Sequence, residues 1–265
     1  MDYGIADLSL IPMRREQSER SEMVSQVLFG ELYEVMEVTG KWVYIRLVQD
    51  GYEGWIDRKL YFPVSVEYAE KYRSEEPVLA SEVFNIVTRD GDYGNKLIVS
   101  GSAYPFFDAD SKKMQIGDDR YTLVSKMKEV GIDSLRDLII SYSLMYYNTP
   151  YLWGGRSPYG IDCSGLTQMA YRMAGINLPR DASQQVMSGQ DFSFVEEALP
   201  GDLAFFGDDS GAISHVGIIW EQNRIIHASG RVRVDKIDHQ GIFNEELKRY
   251  THNLKVIKRI IEERL

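Results

Sequence analysis

The 265-residue chain is poor in the residues that usually announce a metal or disulfide framework. It has one cysteine and four histidines. A single cysteine excludes an internal disulfide and any zinc site built from several thiolates. Cys163 is therefore either a small buried hydrophobe or a reactive thiol. Positive charge is also scarce: 30 Lys and Arg stand against 40 Asp and Glu, a formal net charge of -10. That balance argues against a general affinity for nucleic acid or anionic lipid and for a neutral or locally cationic partner. No run approaches the roughly 18 apolar residues needed to span a bilayer. The opening Met-Asp-Tyr-Gly-Ile-Ala-Asp has neither a basic nor an apolar leader segment. A cytoplasmic protein is expected, or an exported one whose signal has been removed. There is no glycine-rich phosphate loop followed by Lys and Ser or Thr, and the histidines are too dispersed to suggest zinc, so no metal or organic cofactor is expected.

What is present divides into three stretches. Residues 1–65 alternate apolar and polar side chains, as in Leu32–Val38 and Trp42–Leu47, with breaks at Thr39-Gly40 and Gln49-Asp50-Gly51. This period of two predicts a small antiparallel β unit. Residues 66–127 repeat the style more weakly, with strands expected at Lys96–Val99 and Tyr121–Val124, and predict a second small barrel. From about Ile132, Leu135, Leu138, Ile139, Tyr142 and Met145 or Tyr146 recur at helical spacing, with Asp133 or Ser134 as N-cap. That helix must stop before Asn148-Thr149-Pro150. A glycine-rich loop, Trp153–Gly160, then leads to Cys163, and Leu166, Met169, Ala170, Met173 and Ala174 mark a second helix closed by Gly175. Strands are expected at Leu203–Phe206, Val216–Trp220 and Arg224–Ile226. Helices followed by a run of strands make this third region α+β.

The chemistry gathers around the lone cysteine. Cys163 sits where loop turns into helix, between Asp162 and Ser164 and ahead of the first core position, Leu166. Unpaired amides and the helix dipole favour a thiolate there, which predicts a lowered thiol pKa and partial exposure. The Cys163 amide, with a neighbouring donor, is a natural oxyanion stabiliser. A thiolate nucleophile also needs a base whose pKa lies near neutrality. His239 and His252 lie in polar segments and read as solvated. His215 opens one strand and His227 closes the next, and a turn centred near Glu221 would bring them face to face across a hairpin. His227 could then orient His215.

Five segments carry a resemblance to a known family: Tyr151–Gly155, Asp162–Leu166, Leu178–Gln184, Leu199–Leu203 and Ser214–Ile218. In content, order and spacing they resemble the NlpC/P60 cell-wall cysteine peptidases. Arg20–Gln26, Phe29-Gly30-Glu31 and Gly51–Trp55 resemble the bacterial SH3 domain of the subgroup that acts as γ-D-glutamyl-L-diamino acid endopeptidases. The resemblance implies an α+β chain: two N-terminal SH3-like β barrels, residues 1–65 and 66–127, and a papain-like NlpC/P60 catalytic domain, residues 128–265. It implies Cys163, His215 and His227 as the catalytic residues. The implied substrate is a murein stem peptide with a free N-terminal L-Ala, whose ammonium would be held by Glu22, Tyr52 and Asp181. Trp153, Asp162 and Ser164 are expected around the substrate, and a monomer is expected.

Each residue also has a plainer reading. Asp181 could cap a helix beginning near Ala182, Glu22 could be a solvated side chain, Tyr52 could pack a barrel, Trp153 could be core, and Asp162 and Ser164 could merely shape their turn. Two other functions stay open on the same residues: an amidase or acyltransferase, and a wall-binding module without catalysis.

Overall fold

The computed structural model describes residues 2–126, 131, 134–192, 194–208 and 210–261. The chain divides into two compact units, Met1–Val130 and Gly131–Leu265. The domain boundary expected at 127–128 and the cap expected at Asp133 lie outside the described residues.

The first unit begins with seven strands: β1 (Asp2–Ile5), β2 (Leu10–Arg14), β3 (Met23–Leu28), β4 (Leu32–Thr39), β5 (Trp42–Leu47), β6 (Glu53–Asp57) and β7 (Pro63–Val64). They form one antiparallel sheet in the order β3-β2-β6-β5-β4-β1-β7. The alternation seen in the sequence becomes an inside and an outside: in β5, Val43, Ile45 and Leu47 are fully buried and Trp42, Tyr44 and Arg46 are not. These residues pack with Ile11, Met13, Val27 and Ile56 into an SH3-like core.

The stretch 66–127 departs from expectation in two ways. It starts with a helix, α1 (Val66–Ser74), capped by the Ser65 side chain, and Ala69 and Tyr72 turn inward at a spacing of three. Its strands are β8 (Val78–Leu79), β9 (Phe84–Arg89), β10 (Asn95–Val99), β11 (Ala103–Tyr104), β12 (Lys113–Ile116) and β13 (Asp119–Leu123). They form a four-stranded sheet, β10-β9-β13-β12, and a separate β8-β11 ribbon. Nor does this stretch have a core to itself. Val87, Ile98, Met114 and Tyr121 pack with Tyr3, Ile5, Phe29 and Leu32 of the first sheet in one cluster, with Phe29 edge-on to Tyr121 at 5.4 Å between centroids. An independent second barrel is therefore corrected to a sheet that completes the first unit. The physical reason is that its four-stranded sheet has one apolar face, carried by Val87, Ile98, Met114 and Tyr121, and buries it against residues of the first stretch rather than against a second layer of its own.

The second unit opens with α2 (Leu135–Leu144), whose N-cap is Ser134, and which ends ahead of Asn148 at φ 67°. A tight hairpin of β14 (Arg156–Ser157) and β15 (Gly160–Ile161) leads into α3 (Cys163–Met173). A short α4 (Ala182–Gln185) and β16 (Gln190–Phe192) follow. Then come β17 (Leu203–Gly207), β18 (Ile213–Glu221), β19 (Arg224–Ser229), β20 (Arg231–Asp238), β21 (Gly241–Asn244) and β22 (Arg249–Arg259). The sheet order is β16-β22-β17-β18-β19-β20-β21, and β22 also pairs with β21, so six strands close on themselves. Over the whole chain the fold is mostly β with few helices. No helix among the described residues is long and apolar enough to cross a membrane.

Two buried anions brace the second unit. Asp202, fully buried, accepts from Arg136 of α2 at 3.0 Å and from Arg259 of β22 at 2.9 Å. Asp162 caps α3 by accepting from the Gly165 amide at 2.7 Å, and also accepts from the Gly154 amide at 2.8 Å. Glycine at 165 is obligatory here, because a Cβ would lie 2.3 Å from the Gly155 carbonyl oxygen. The glycine-rich loop is thus folded down onto the first turn of α3, which holds the cysteine.

Candidate active site

Cys163 is the first residue of α3, directly after its cap. The side chain is buried, with 7% of its surface exposed. Burial pushes its thiol up to about 12, the Asp162 charge adds to this, and the Val216 and Ser164 amides and Arg180 act the other way. The expected partial exposure and lowered pKa are thus overturned. The helix start contributes in the foreseen direction, and desolvation outweighs it. The amide of Val216, the residue after His215, is hydrogen-bonded to the sulfur.

The two histidines meet, though not as direct partners. Glu221 pairs with Arg224, so the turn is the two residues Gln222 and Asn223, the latter at φ 63°, and His227 lies opposite Gly217. His215 is then the diagonal neighbour of His227 on the same face, a separation that long side chains bridge. Gly217 makes this possible: a Cβ there would come within 2.8 Å of Ile225 and 3.0 Å of the His227 Cβ. His215 Nε2 and His227 Nδ1 are 2.9 Å apart, and His227 Nε2 is 3.1 Å from Asp235 Oδ2. Arg233 completes the line by donating to Asp235 Oδ1 at 3.0 Å.

His252, expected to be solvated, is half-buried and stacks on His215 with centroids 4.1 Å apart and planes at 25°. The expected dispersal of histidines is therefore wrong for three of them: nitrogens of His215, His227 and His252 lie within 4.8 Å of one another. The sequence concealed this because the residues come from three strands that only the closed sheet brings together. Stacked rings send their in-plane lone pairs side by side instead of onto a common point, and His215 Nε2 is already bonded to His227. The hydrogen-bonded line runs from His215 through His227 to Asp235, and His252 lies against it by stacking.

All three rings titrate low. Burial drives His215 well below its ordinary range, reinforced by His227 and His252, and burial likewise lowers His227 against the pull of Asp235. His252 falls to about 4 for the same first reason. Above the unfolded value near 6.5 both folded and unfolded rings are neutral and pH has no leverage. As pH falls from 6.5 toward 4, the unfolded chain binds protons that the folded one refuses, so stability is lost on acidification. Thermal unfolding between pH 7 and 4.5 should show its midpoint falling by about 5 °C or more.

The remaining expected site residues divide by unit. Ser164 and Asp162 flank Cys163 and are buried. Both Asp162 oxygens are occupied: Arg180 donates to Oδ1 at 3.0 Å and to Oδ2 at 2.6 Å, and also to the Ser164 hydroxyl at 2.9 Å. The Asp162 carboxylate thus shapes and holds the turn. Trp153 projects from the glycine-rich loop with 59% of its surface exposed, not packed in the core. Asp181 is half-buried and caps α4 in a capping box with Gln184. Glu22 and Tyr52 belong to the first unit. Glu22 is exposed and ion-paired with Arg15 at 2.5 Å, and Tyr52 packs against the barrel core.

Sequence reasoning missed Arg180, Asp235, Arg233 and His252. A signal existed for Asp235: Arg231, Arg233 and Asp235 recur at every second position, with Val232 and Val234 between them.

A thiol at a helix start beside a strand that carries a line of imidazoles is the set of parts from which thiol hydrolases are built. Comparison with known proteins narrows this. Residues 148–251 match the NlpC/P60 family, and residues 13–59 match the bacterial dipeptidyl-peptidase SH3 domain. The chain joins an NlpC/P60 domain to a bacterial SH3 domain and is homologous to dipeptidyl-peptidase 6 and the γ-D-glutamyl-L-lysine dipeptidyl-peptidases. Dipeptidyl-peptidase 6 of Lysinibacillus sphaericus is 27% identical over 85% of this chain and 88% of its own. The γ-D-glutamyl-L-lysine dipeptidyl-peptidase of Bacillus subtilis is 26% identical over 77% of this chain and 71% of its own. The solved structure of an NlpC/P60 family protein from Bacillus cereus shares the fold at a TM-score of 0.78, with 20% identity over 98% of this chain and all of that one.

Proposed function

We propose that this protein is a cysteine peptidase that cleaves the γ-D-Glu–diamino acid bond of murein stem peptides carrying a free N-terminal L-Ala, in peptidoglycan turnover or recycling. The observation that carries the reading is that the thiol of Cys163, at the start of α3, lies against the backbone amide of Val216, the residue after His215, whose ring stands 2.9 Å from that of His227. The named activities of the relatives, matched across both domains, support the choice of substrate.

In this reading His215 takes the Cys163 proton as the sulfur attacks the γ-carbonyl of D-Glu. The oxyanion is held by the Cys163 amide, which has no acceptor within the first turn of the helix. His215 then gives its proton to the departing diamino acid amine as the C–N bond breaks. It next takes a proton from water, whose oxygen attacks the thioester, and the dipeptide leaves as the thiol re-forms. A neutral thiol and a neutral imidazole, as burial dictates here, make the first proton transfer part of the attack itself.

Within the second unit Asp181 would pair the substrate ammonium, with Ser164 and the exposed Trp153 bordering the peptide; Glu22 and Tyr52 of the SH3 domain are the further candidates that the family resemblance supplies. A negatively charged protein suits a cationic end group, and a site built to pair an ammonium rejects a substrate lacking it. Either compartment that receives such fragments, cytoplasm or cell envelope, suits the reading, and a monomer suffices. Acetylating the N-terminus of L-Ala-γ-D-Glu-L-Lys should lower kcat/KM by about 10^2 or more. Equal cleavage of free and blocked peptide, followed by chromatography, would remove the ammonium pocket. Cleavage of neither, with retained binding, would favour a binding module.

A further inference from the structure

We propose that Asp235 is a positioning residue of the catalytic site: its hydrogen bond to His227 fixes the tautomers of both histidines, so that Nδ1 of His215 is left as the base. The inference rests on the reading of Cys163 and His215 as nucleophile and base, and adds a fourth member to that line.

An ionised carboxylate can only accept hydrogen bonds. Burial pushes the Asp235 carboxyl up, but the hydrogen bonds and charges of His227 and Arg233 prevail and hold it below the ordinary range. His227 Nε2, 3.1 Å away, must therefore carry the proton. A neutral imidazole protonated at Nε2 has a bare Nδ1, and that atom faces His215 Nε2 at 2.9 Å. His215 must then donate from Nε2, which leaves its own Nδ1 bare. That is the only arrangement in which a neutral His215 can accept a proton from a thiol.

The surroundings point the same way. His252 of β22 stacks on His215 and penalises a second positive charge, and Phe206 of β17 covers its other neighbourhood at 5.8 Å between centroids. Arg233 and Asp235 of β20 face His227, and Glu246 reaches the group only through Arg233, at 3.1 Å. Asp162 and Arg180 act on the cysteine side. Among the described residues, Asp235 is the one carboxylate hydrogen-bonded to an imidazole of the line.

Arg233 reaches both oxygens of Asp235, one guanidinium nitrogen 3.0 Å from Oδ1 and Nε 2.8 Å from Oδ2, the oxygen that also faces His227. In Asp235→Asn the amide nitrogen meets a donor of Arg233 whichever way it lies, so the side chain no longer accepts from all three donors and the fixed His227 Nε2–H is lost. Where the amide nitrogen turns toward His227 Nε2, both tautomers reverse and a proton is placed on His215 Nδ1. In serine-protease triads the corresponding change costs about 10^4 in kcat through the wrong tautomer.

Because Cys163 is the single cysteine, alkylation by iodoacetamide, followed by intact-mass spectrometry across pH, reports on it alone and needs no substrate. With the full-length protein, Asp235→Asn should slow alkylation at neutral pH by about tenfold or more and move its inflexion to higher pH. Its kcat should fall by about 10^2 or more at nearly constant KM, and Asp235→Glu should recover part of both. A shifted alkylation profile in a protein that cleaves no murein peptide would support the positioning role while sinking the proposed substrate. An unmoved profile with a lowered melting point would reduce Asp235 to a structural ion pair and overturn the proposal. Should Asp235→Asn not fold, nitrogen-15 NMR of the wild type decides: a proton on Nδ1 of neutral His215 overturns it, a bare Nδ1 supports it.

Discussion

His215→Ala should lower kcat by about 10^4 or more with little change in KM, the order of loss seen when the base is removed from a nucleophile–histidine site. The Cys163 thiol is buried and pushed up to about 12, so solvent cannot supply a thiolate at neutral pH. The proton must leave through a neighbour, and His215 is the imidazole on the strand whose next amide touches the sulfur. His227→Ala should cost less. It removes the acceptor of the His215 Nε2–H while leaving a base in place. Steady-state kinetics on the three proteins checks the order, and an equal loss in both variants would make the pair a single unit instead of a base with its support.

Arg180→Leu should destabilise the protein by about 3–5 kcal/mol, because removing one partner of a buried pair leaves an uncompensated charge. Arg180 is 1% exposed and holds both oxygens of Asp162 together with the Ser164 hydroxyl. Asp162 in turn caps α3 and fixes the glycine-rich loop. The variant should therefore lose activity along with stability. Adding Asp162→Asn to Arg180→Leu should recover part of the loss, since a neutral amide tolerates burial better than a lone carboxylate. Chemical denaturation of the single and double variants measures the coupling. If the double variant is no better than the single one, the pair is not the source of the effect.

The part of the site that lies in one short segment was legible in the sequence. Cys163 follows a capping Asp and precedes a helical stripe, so its place at the start of α3 could be read from local pattern alone. The His215–His227 hairpin was legible to within one residue. The turn falls on Gln222-Asn223 because Asn223 takes up the left-handed conformation, and the diagonal that results works only because position 217 is glycine. Burial was not legible. A thiol beside Asp162 and Ser164 looks exposed in sequence, yet the glycine-rich loop folds over it, and that reverses the direction of its pKa. His252 and Asp235 were hidden for a different reason: they reach the site from β22 and β20 through closure of the sheet, a long-range event with no local signature. The first unit shows the same limit. The strands of residues 66–127 were visible, but the sharing of Phe29 and Leu32 with Tyr121 and Met114, which denies that stretch its own core, was not.

The central claim is thiol-dependent hydrolysis of one particular bond. Incubating L-Ala-γ-D-Glu-L-Lys with the full-length protein in oxygen-18 water, and weighing the products by mass spectrometry, tests it most directly. The expected result is L-Ala-D-Glu carrying one heavy oxygen in its γ-carboxyl, together with free lysine, and no product from Cys163→Ala. Cleavage at another bond, or product formed undiminished by Cys163→Ala, would contradict it.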